Sequence, residues 1–327
     1  MSKSNRIYKL IISSAISVTL IVLILLIVDL KKVILILEHI NIKYILIALL
    51  FYPIGILFRT FRWKILLSQN KTIKFTSSLV ALIYGFMINN LFPVKIGEIA
   101  RAELISKKIN IRRSFAIGTI IAERIIDSIL VLILLFISVI FSKTLYSVIQ
   151  SNWLSLLLVF IFIISLIFFL INRNIQNLFL KIIPEKFKEK AESILLNVYD
   201  GIRFYKSKKI LLIVICFSLL IWAGLFTRSF ILLYALEIKL PLYAYIFIVC
   251  AGSLGMVIPS SPGNIGVYHA VSISTLLLFM VNKNDAFIFA IISHALDFFP
   301  NVIIGLIIQL NNNLRFFKNP DTKITTN

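Results

Sequence analysis

The stretch Asn89-Asn90-Leu91-Phe92-Pro93-Val94-Lys95-Ile96-Gly97-Glu98-Ile99-Ala100-Arg101 decides how the rest of the chain is read. It closes an apolar run, Phe75–Phe92, with a proline and a glycine flanked by two amides, a carboxylate and a guanidinium. Proline removes a backbone donor and breaks a helix, and glycine punctuates one. The spacing therefore predicts a re-entrant hairpin. Phe75–Phe92 dips into the membrane, the chain turns at Pro93, and Val94–Ile105 climbs back out. Broken backbone at membrane depth is tolerated where it is buried in protein or lines a wet cavity.

Composition sets the class around this stretch. Of 327 residues, 60% are hydrophobic and only 15% are charged. That excludes a soluble globular domain. Several apolar runs approach the ~20 residues needed to cross ~30 Å of hydrocarbon. The formal net charge is +20. In a membrane protein such an excess of Lys and Arg faces the cytoplasm and anionic head-groups. No aromatic-interleaved basic patch lies outside the apolar runs, so nucleic acid is not an expected partner. Cys216 and Cys250 fall inside apolar segments and read as small core hydrophobes. Lys3, Arg6 and Lys9 precede the apolar run Leu10–Val28, which is long for a signal peptide and lacks a small-x-small cleavage site. It reads as a retained first span.

The positive-inside rule orders the remainder. Span one is Ile7–Val28, and Val33–Ile40 lies at the outer interface. Tyr44–Phe58 returns and runs into Arg59-Thr60-Phe61-Arg62-Trp63-Lys64, read as a basic, aromatic interface anchor. A full crossing by Phe75–Phe92 would put Lys95, Arg101, Lys107, Lys108, Arg112 and Arg113 opposite Arg59, Arg62, Lys64, Lys71 and Lys74. A hairpin keeps both clusters inside. Ser114–Phe141 then crosses outward and Trp153–Ile171 returns. Arg173–Lys209 forms a basic cytoplasmic connector, and Ile210–Leu236 crosses outward. Leu242–Ile258 enters and meets the breaker Pro259-Ser260-Ser261-Pro262-Gly263-Asn264-Ile265-Gly266, Val267–Val281 leaves, and Ala286–Leu310 crosses inward. The expected fold is an all-α polytopic membrane protein with six full spans and two re-entrant hairpins, both termini cytoplasmic. A plain eight-span bundle is the alternative that hydropathy does not separate from it. The expected units are 1–43 (first span and interfacial segment), 44–172 (first repeat plus a linking span), 173–209 (connector), 210–310 (second repeat) and 311–327 (tail).

The two halves repeat. Pro93-x-x-Ile96-Gly97 matches Pro262-x-x-Ile265-Gly266, and at the same offset of 169 Arg59 matches Arg228 and Phe61 matches Phe230. One residue further, Arg124 and Asp127 match His294 and Asp297. Each half is then a span, a hairpin and a span, and the hairpins enter from opposite sides. That is the inverted-repeat transporter plan, whose binding site lies near the midplane between repeats.

Charges inside the spans mark the candidate site. Glu123 and Arg124 fall ~13 Å into their helix at ~1.5 Å per residue. Asp127 is one turn deeper, sharing a face with Glu123 and pairing with Arg124 at i,i+3. His294 and Asp297 sit at similar depth in the last span. Such charges cost ~2.5–3.5 kcal/mol each on insertion scales, so they need partners and generally have a task. A cavity lined for a polar or anionic head-group and a proton relay are the functional readings, and a satisfied ion cluster that glues helices is the bland one. Glu98 and Arg101 lie on the rising arm of the first hairpin, spaced for an i,i+3 pair. The half-helices after Pro93 and after Pro262-Gly263 point their N-termini at the membrane centre, where free N–H groups suit a phosphate. Arg228 adds a guanidinium that grips phosphate in a fork. The expected head-group path is Asn90, Pro93, Gly97, Glu98, Arg101, Glu123, Arg124, Asp127, Arg228, Pro262, Gly263, Gly266, His269, His294 and Asp297. With three histidines and two apolar cysteines, no metal-ligand spacing appears, no cofactor motif is present and no catalytic residue is assigned.

The order Asn-Asn-x-x-Pro-x-x-x-Gly-Glu-x-x-Arg at Asn89–Arg101, then Glu-Arg-x-x-Asp at Glu123–Asp127, then Pro-Gly-x-x-Gly at Pro262–Gly266 resembles the lysylphosphatidylglycerol synthase transmembrane-domain family, also called the flippase-like or UPF0104 family. Arg62-Trp63 resembles the family's basic-aromatic pair, and the likeness covers roughly residues 10–310. The resemblance implies lipid handling. A similar domain of the bacterial multiple peptide resistance factor moves aminoacylated phosphatidylglycerol between leaflets, and other members handle lipid-linked sugars. Two departures stand out. Tyr268 and His269 follow Gly266 where the family often shows a glutamate. No aminoacyl-transferase domain follows, so lysyl transfer by this chain alone is not expected. The functional expectation is a plasma-membrane protein that binds or translocates a phosphate-bearing lipid, phospholipid or polyprenyl-linked. The alternatives are a membrane enzyme or an accessory subunit, with a synthase or glycosyltransferase as partner.

Overall fold

A computed structural model describes residues 30–311 except 70–71, 93–94, 143–144, 146, 148–160, 162–164, 166–167, 170 and 258–260, together with 19, 22–24, 26 and 28–29. Most of the first span and of Trp153–Ile171, the turn at Pro93-Val94, Pro259-Ser260 and the tail lie outside the described residues.

Every described element is helical. Asp29 caps α1 (Leu30–His39) by accepting from the N–H of Lys31 and Lys32, and Asn41 caps α2 (Ile42–Leu67) through the N–H of Lys43. Next come α3 (Phe75–Leu91) and α4 (Ile96–Ile109), then α5 (Arg113–Ile140). The connector holds α6 (Arg173–Leu180), α7 (Glu185–Ile202) and a 3₁₀ turn (Arg203–Lys206). The second half repeats the order of the first: α8 (Lys208–Ala235), α9 (Leu242–Gly255), a 3₁₀ turn (Pro262–Asn264), α10 (Val267–Leu278) and α11 (Lys283–Asn311).

Length and charge sort these helices. Three of them, α2, α8 and α11, are long and apolar enough to cross a membrane. The 28 residues of α5 match them in length, but Glu123, Arg124 and Asp127 interrupt its apolar run. The four helices α3, α4, α9 and α10 have 17, 14, 14 and 12 residues. At ~1.5 Å per residue, each falls short of a ~30 Å hydrocarbon core. The long helices present Leu46, Leu50, Leu57, Leu219, Ile303 and Ile307 outward, as a lipid-facing surface does.

One expectation is corrected here. The polar run after Phe58 is not an interface anchor: α2 continues unbroken to Leu67, and Thr60, Arg62 and Trp63 are buried. The helix does not need water at this point because its polar side chains find protein partners. The connector packs one face on the long helices. Its Val198 and Ile202 pack with Leu66 and Ala122, and α7 presses its backbone onto α5 at Gly118 and Gly201.

Neighbouring elements follow a pattern. Along α2 and α8, Tyr44 meets Tyr234 at 5.0 Å and Phe61 stacks on Phe217 at 5.9 Å, so the two helices run antiparallel. α3 packs on α4, α2 and α11; α9 packs on α10, α8 and α5. α4 lies on α5 as α10 lies on α11, and α2 touches both α5 and α11, as α8 does. Exchanging α2, α3, α4 and α5 for α8, α9, α10 and α11 leaves this set of neighbours unchanged.

Candidate functional site

The first hairpin closes through its own polar residues. Asn89 Oδ1 accepts the N–H of Gly97 at 2.8 Å, tying the end of α3 to the start of α4. Lys95 caps α4 in the left-handed region at φ 50°. The helices touch backbone to backbone here: a Cβ on Gly97 would lie 1.9 Å from Gly85 O. Gly97 therefore packs α4 closely onto α3. Its N–H is already taken, so the expected ring of free donors at this helix start is incomplete.

Close packing at Gly97 delivers Arg101 to the interior, one turn further along α4. Its Nη2 lies 2.7 Å from Glu98 Oε2 and donates to Glu123 Oε2 at 2.9 Å. The guanidinium carbon stands 4.8 Å from the Trp63 ring centroid, a cation–π contact. Trp63 is held by its own bond to Thr119 Oγ1 at 3.1 Å. Arg101 is 1% exposed, and among the described residues its Nε and Nη1 have no hydrogen-bond partner.

Arg62 completes the network, and sequence reasoning placed it elsewhere. Its Nη1 and Nη2 donate to Asp127 Oδ1 at 2.6 Å and Oδ2 at 3.1 Å, the fork geometry that carboxylates favour. Nη1 also reaches Ser218 Oγ at 2.8 Å on α8, and Nε reaches Glu123 Oε1 at 3.3 Å. Glu123 thus lies between two arginines from two different helices. The expected Arg124–Asp127 pair is replaced. Arg62 occupies Asp127, while Arg124 turns to Glu98 at 3.7 Å and stays about half exposed. The signal that could have found Arg62 was the charge balance inside the apolar run of α5, where two carboxylates, Glu123 and Asp127, stand against one arginine, Arg124.

A second polar group forms where the other hairpin meets α11. Arg228 forks onto Asp297 at 2.5 and 2.8 Å. His294 Nε2 donates to Gly263 O at 2.7 Å, and the rings of His269 and His294 are 5.0 Å apart. His269 Nδ1 accepts the N–H of Gly266 at 3.4 Å, and Tyr268 pairs with Ser293 at 2.9 Å. Pro262 opens the 3₁₀ turn. Gly263 follows it with φ +69°, a conformation glycine adopts without strain. A Cβ there would meet the Phe298 ring at 2.8 Å and Asn90 O at 3.3 Å. The two hairpin tips therefore touch, Gly263 against Asn90. Among the described residues, the buried Asn90 Nδ2 has no hydrogen-bond partner. Pro93, expected at this junction, lies outside the described residues.

The structure thus gathers Glu98, Arg101, Glu123, Arg124 and Asp127 into one network. It gathers Arg228, Gly263, Gly266, His269, His294 and Asp297 into another, with Asn90 at the seam. Among the described residues, no three His, Cys, Asp or Glu side chains converge as metal ligands would.

This order of polar stations along an all-helical chain has relatives. Residues 10–305 match the family model described as the lysylphosphatidylglycerol synthase TM region. The chain belongs to that family. A UPF0104 membrane protein of Methanocaldococcus jannaschii is 32% identical over 228 residues, covering 67% of this chain and 92% of the relative. A UPF0104 membrane protein of Pyrococcus horikoshii is 24% identical over 319 residues, covering 91% of this chain and 95% of the relative. No solved structure matches the chain. Family membership and the apolar helices make this a multi-pass membrane protein in contact with lipid. Within this lysylphosphatidylglycerol synthase TM-region member, buried Arg62, Arg101 and Glu123 and half-buried Asp127 form the polar centre of α2, α4 and α5.

Proposed function

We propose that the protein binds a phosphate-bearing lipid and passes its head-group across the bilayer through a polar path between the two hairpins. The observation that carries this reading is the network around Glu123. Three arginines, Arg62, Arg101 and Arg124, pair with three carboxylates, Glu98, Glu123 and Asp127, at the junction of α2, α4 and α5, and a fourth, Arg59, stands within electrostatic reach of Asp127 with no ion pair among the described residues. A cluster built only to glue helices would balance its charges and satisfy its donors. This one holds a surplus cation, a half-exposed Arg124, and two unpartnered N–H positions on Arg101. Each feature suits an anion that comes and goes.

The architecture proposed with it is an inverted repeat of six spans and two re-entrant hairpins. Three facts support it: the exchange-invariant neighbours, the touching tips Asn90 and Gly263, and the antiparallel run of α2 along α8. Two matched helices that run antiparallel are exchanged only by an axis perpendicular to them, which places that axis in the membrane plane. The path then opens alternately by rocking one half against the other. In this reading the protein resides in the plasma membrane with both termini in the cytoplasm, and a synthase of the lipid is the natural partner.

The test is movement of a fluorescently labelled phospholipid in liposomes carrying the full chain, read by quencher accessibility. Wild type speeds transbilayer movement. Arg124→Gln, which removes a half-exposed charge and leaves the buried pairs intact, slows it at least tenfold. Equal movement by folded Arg124→Gln removes Arg124 from the path. Absence of movement by wild type overturns translocation altogether.

A further inference from the structure

Three candidates lie outside the ion pairs of the two networks: an open cleft at the start of α2 lined by His39, Tyr44, Tyr234 and Asp285, the basic and apolar connector, and Arg59. The last carries an inference furthest. Gly55-x-x-x-Arg59 on α2 and Gly224-x-x-x-Arg228 on α8 are the same motif 169 residues apart. They meet in one narrow crevice between the two helices, lined by both glycines and both arginines. A Cβ on Gly55 would have nothing within 4 Å, and one on Gly224 only Phe51 at 3.7 Å, so the glycines leave open space beside the guanidiniums.

The two arginines share a position but not a fate. Arg228 is neutralised by Asp297. The matching carboxylate of the first half, Asp127, is held by Arg62, one turn further along α2. Arg59 is left with a Phe86 ring at 5.9 Å and, among the described residues, no ion pair. It lies within electrostatic reach of both Asp127 and Asp297, and is repelled by Arg62 and Arg124. A guanidinium inside a membrane helix with no carboxylate of its own is costly unless an anion visits it.

We propose that Arg59 is the phosphate-contacting cation of this path, placed in the crevice between the halves and left unpaired so that the lipid phosphate supplies its counter-charge. This rests on the lipid-binding reading above and names the residue that recognises the ligand. The shared chemistry is a phosphate group, from a lipid or free in solution.

The experiment measures binding of short-chain phosphatidic acid, diacylglycerol of the same chains, and inorganic phosphate to the full chain in detergent, with Tm recorded alongside. Wild type binds phosphatidic acid in preference to diacylglycerol and to free phosphate. Arg59→Gln weakens phosphatidic acid binding about tenfold or more, as loss of a charge-assisted contact does. Arg59→Lys restores part of it. The Tm of ligand-free Arg59→Gln is not below that of wild type, because no ion pair is lost. Unchanged phosphatidic acid binding by Arg59→Gln overturns the role of Arg59 and leaves lipid binding standing. Arg59-dependent binding of free phosphate as tight as that of phosphatidic acid overturns the lipid as source. Failure of wild type to bind either phosphate probe removes the lipid-binding reading, and this inference with it.

Discussion

Glu123 accepts from Arg62 of α2 and from Arg101 of α4, and is 1% exposed. Two buried guanidiniums depend on it, so its loss leaves both short of a counter-charge. Removing one partner from a buried ion pair costs ~3–5 kcal/mol, far more than the pair's net worth against an apolar substitute. Glu123→Ala should therefore lower stability in detergent by at least that range, read as a fall in Tm or in the denaturant midpoint. Arg124 contrasts with it on the same helix. It is 47% exposed and 3.7 Å from its nearest carboxylate, so solvent screening discounts its pairing. Arg124→Gln should change stability by less than ~1 kcal/mol. Equal losses in the two variants would mean that the network does not anchor the fold. The sequence marked Glu123, Arg124 and Asp127 because charges at depth in an apolar run are conspicuous. It hid Arg62 because an arginine near the end of an apolar run reads as a head-group anchor. Helix phase alone does not say whether such a residue faces lipid head-groups or the neighbouring helices.

At the scale of elements, the helix breaks were legible and the reach of α2 was not. Pro262, Gly263 and the polar run after Asn89 break helices by local chemistry, and α3 and α9 end, and α4 and α10 begin, within several residues of those breakers. The length of α2 depends on partners far along the chain. Arg62 stays in the helix because Asp127 and Ser218 receive it, and Trp63 because Thr119 does. No local pattern encodes those contacts. The first hairpin also depends on a contact that only geometry shows, the 1.9 Å that a Cβ on Gly97 would leave to Gly85 O. Gly97→Ala must push α4 off α3 and drag Arg101 from Glu123. It should destabilise by ~1–3 kcal/mol or more. Gly55→Ala is the matched control on another helix, with open space around the new methyl. Alanine is the better helix former by ~1 kcal/mol, so this variant should be neutral or stabilised. If both changes behave alike, helix propensity and not the α3–α4 contact controls the outcome.

For the whole molecule, the order in which helices meet implies a sidedness that labelling can read. Because α2 and α8 run antiparallel, the end of α2 and the start of α8 share one side, and the start of α2 and the end of α8 share the other. Lys208, exposed at the start of α8, must then face the compartment reached by Leu67 at the end of α2. A re-entrant α3–α4 returns the chain to that same compartment, and Lys107, 64% exposed near the end of α4, would face it too. A full crossing by α3 and α4 in sequence, with the turn straightened, would send Lys107 to the other side. Lys239, exposed just after α8, marks that other side in either case. In a background without Cys216 and Cys250, single cysteines at 107, 208 and 239 should react with a membrane-impermeant maleimide as two and one. Lys107→Cys and Lys208→Cys label together from the cytoplasmic face, and Lys239→Cys labels from outside. The positive-inside rule points the same way, because Lys107, Lys108, Lys208 and Lys209 then share the compartment that favours cations. Opposite labelling of positions 107 and 208 would require the first hairpin to cross. The two halves would then lose the proposed perpendicular axis, and the arginines of α2 and α8 would no longer be equivalent stations on the path proposed between them.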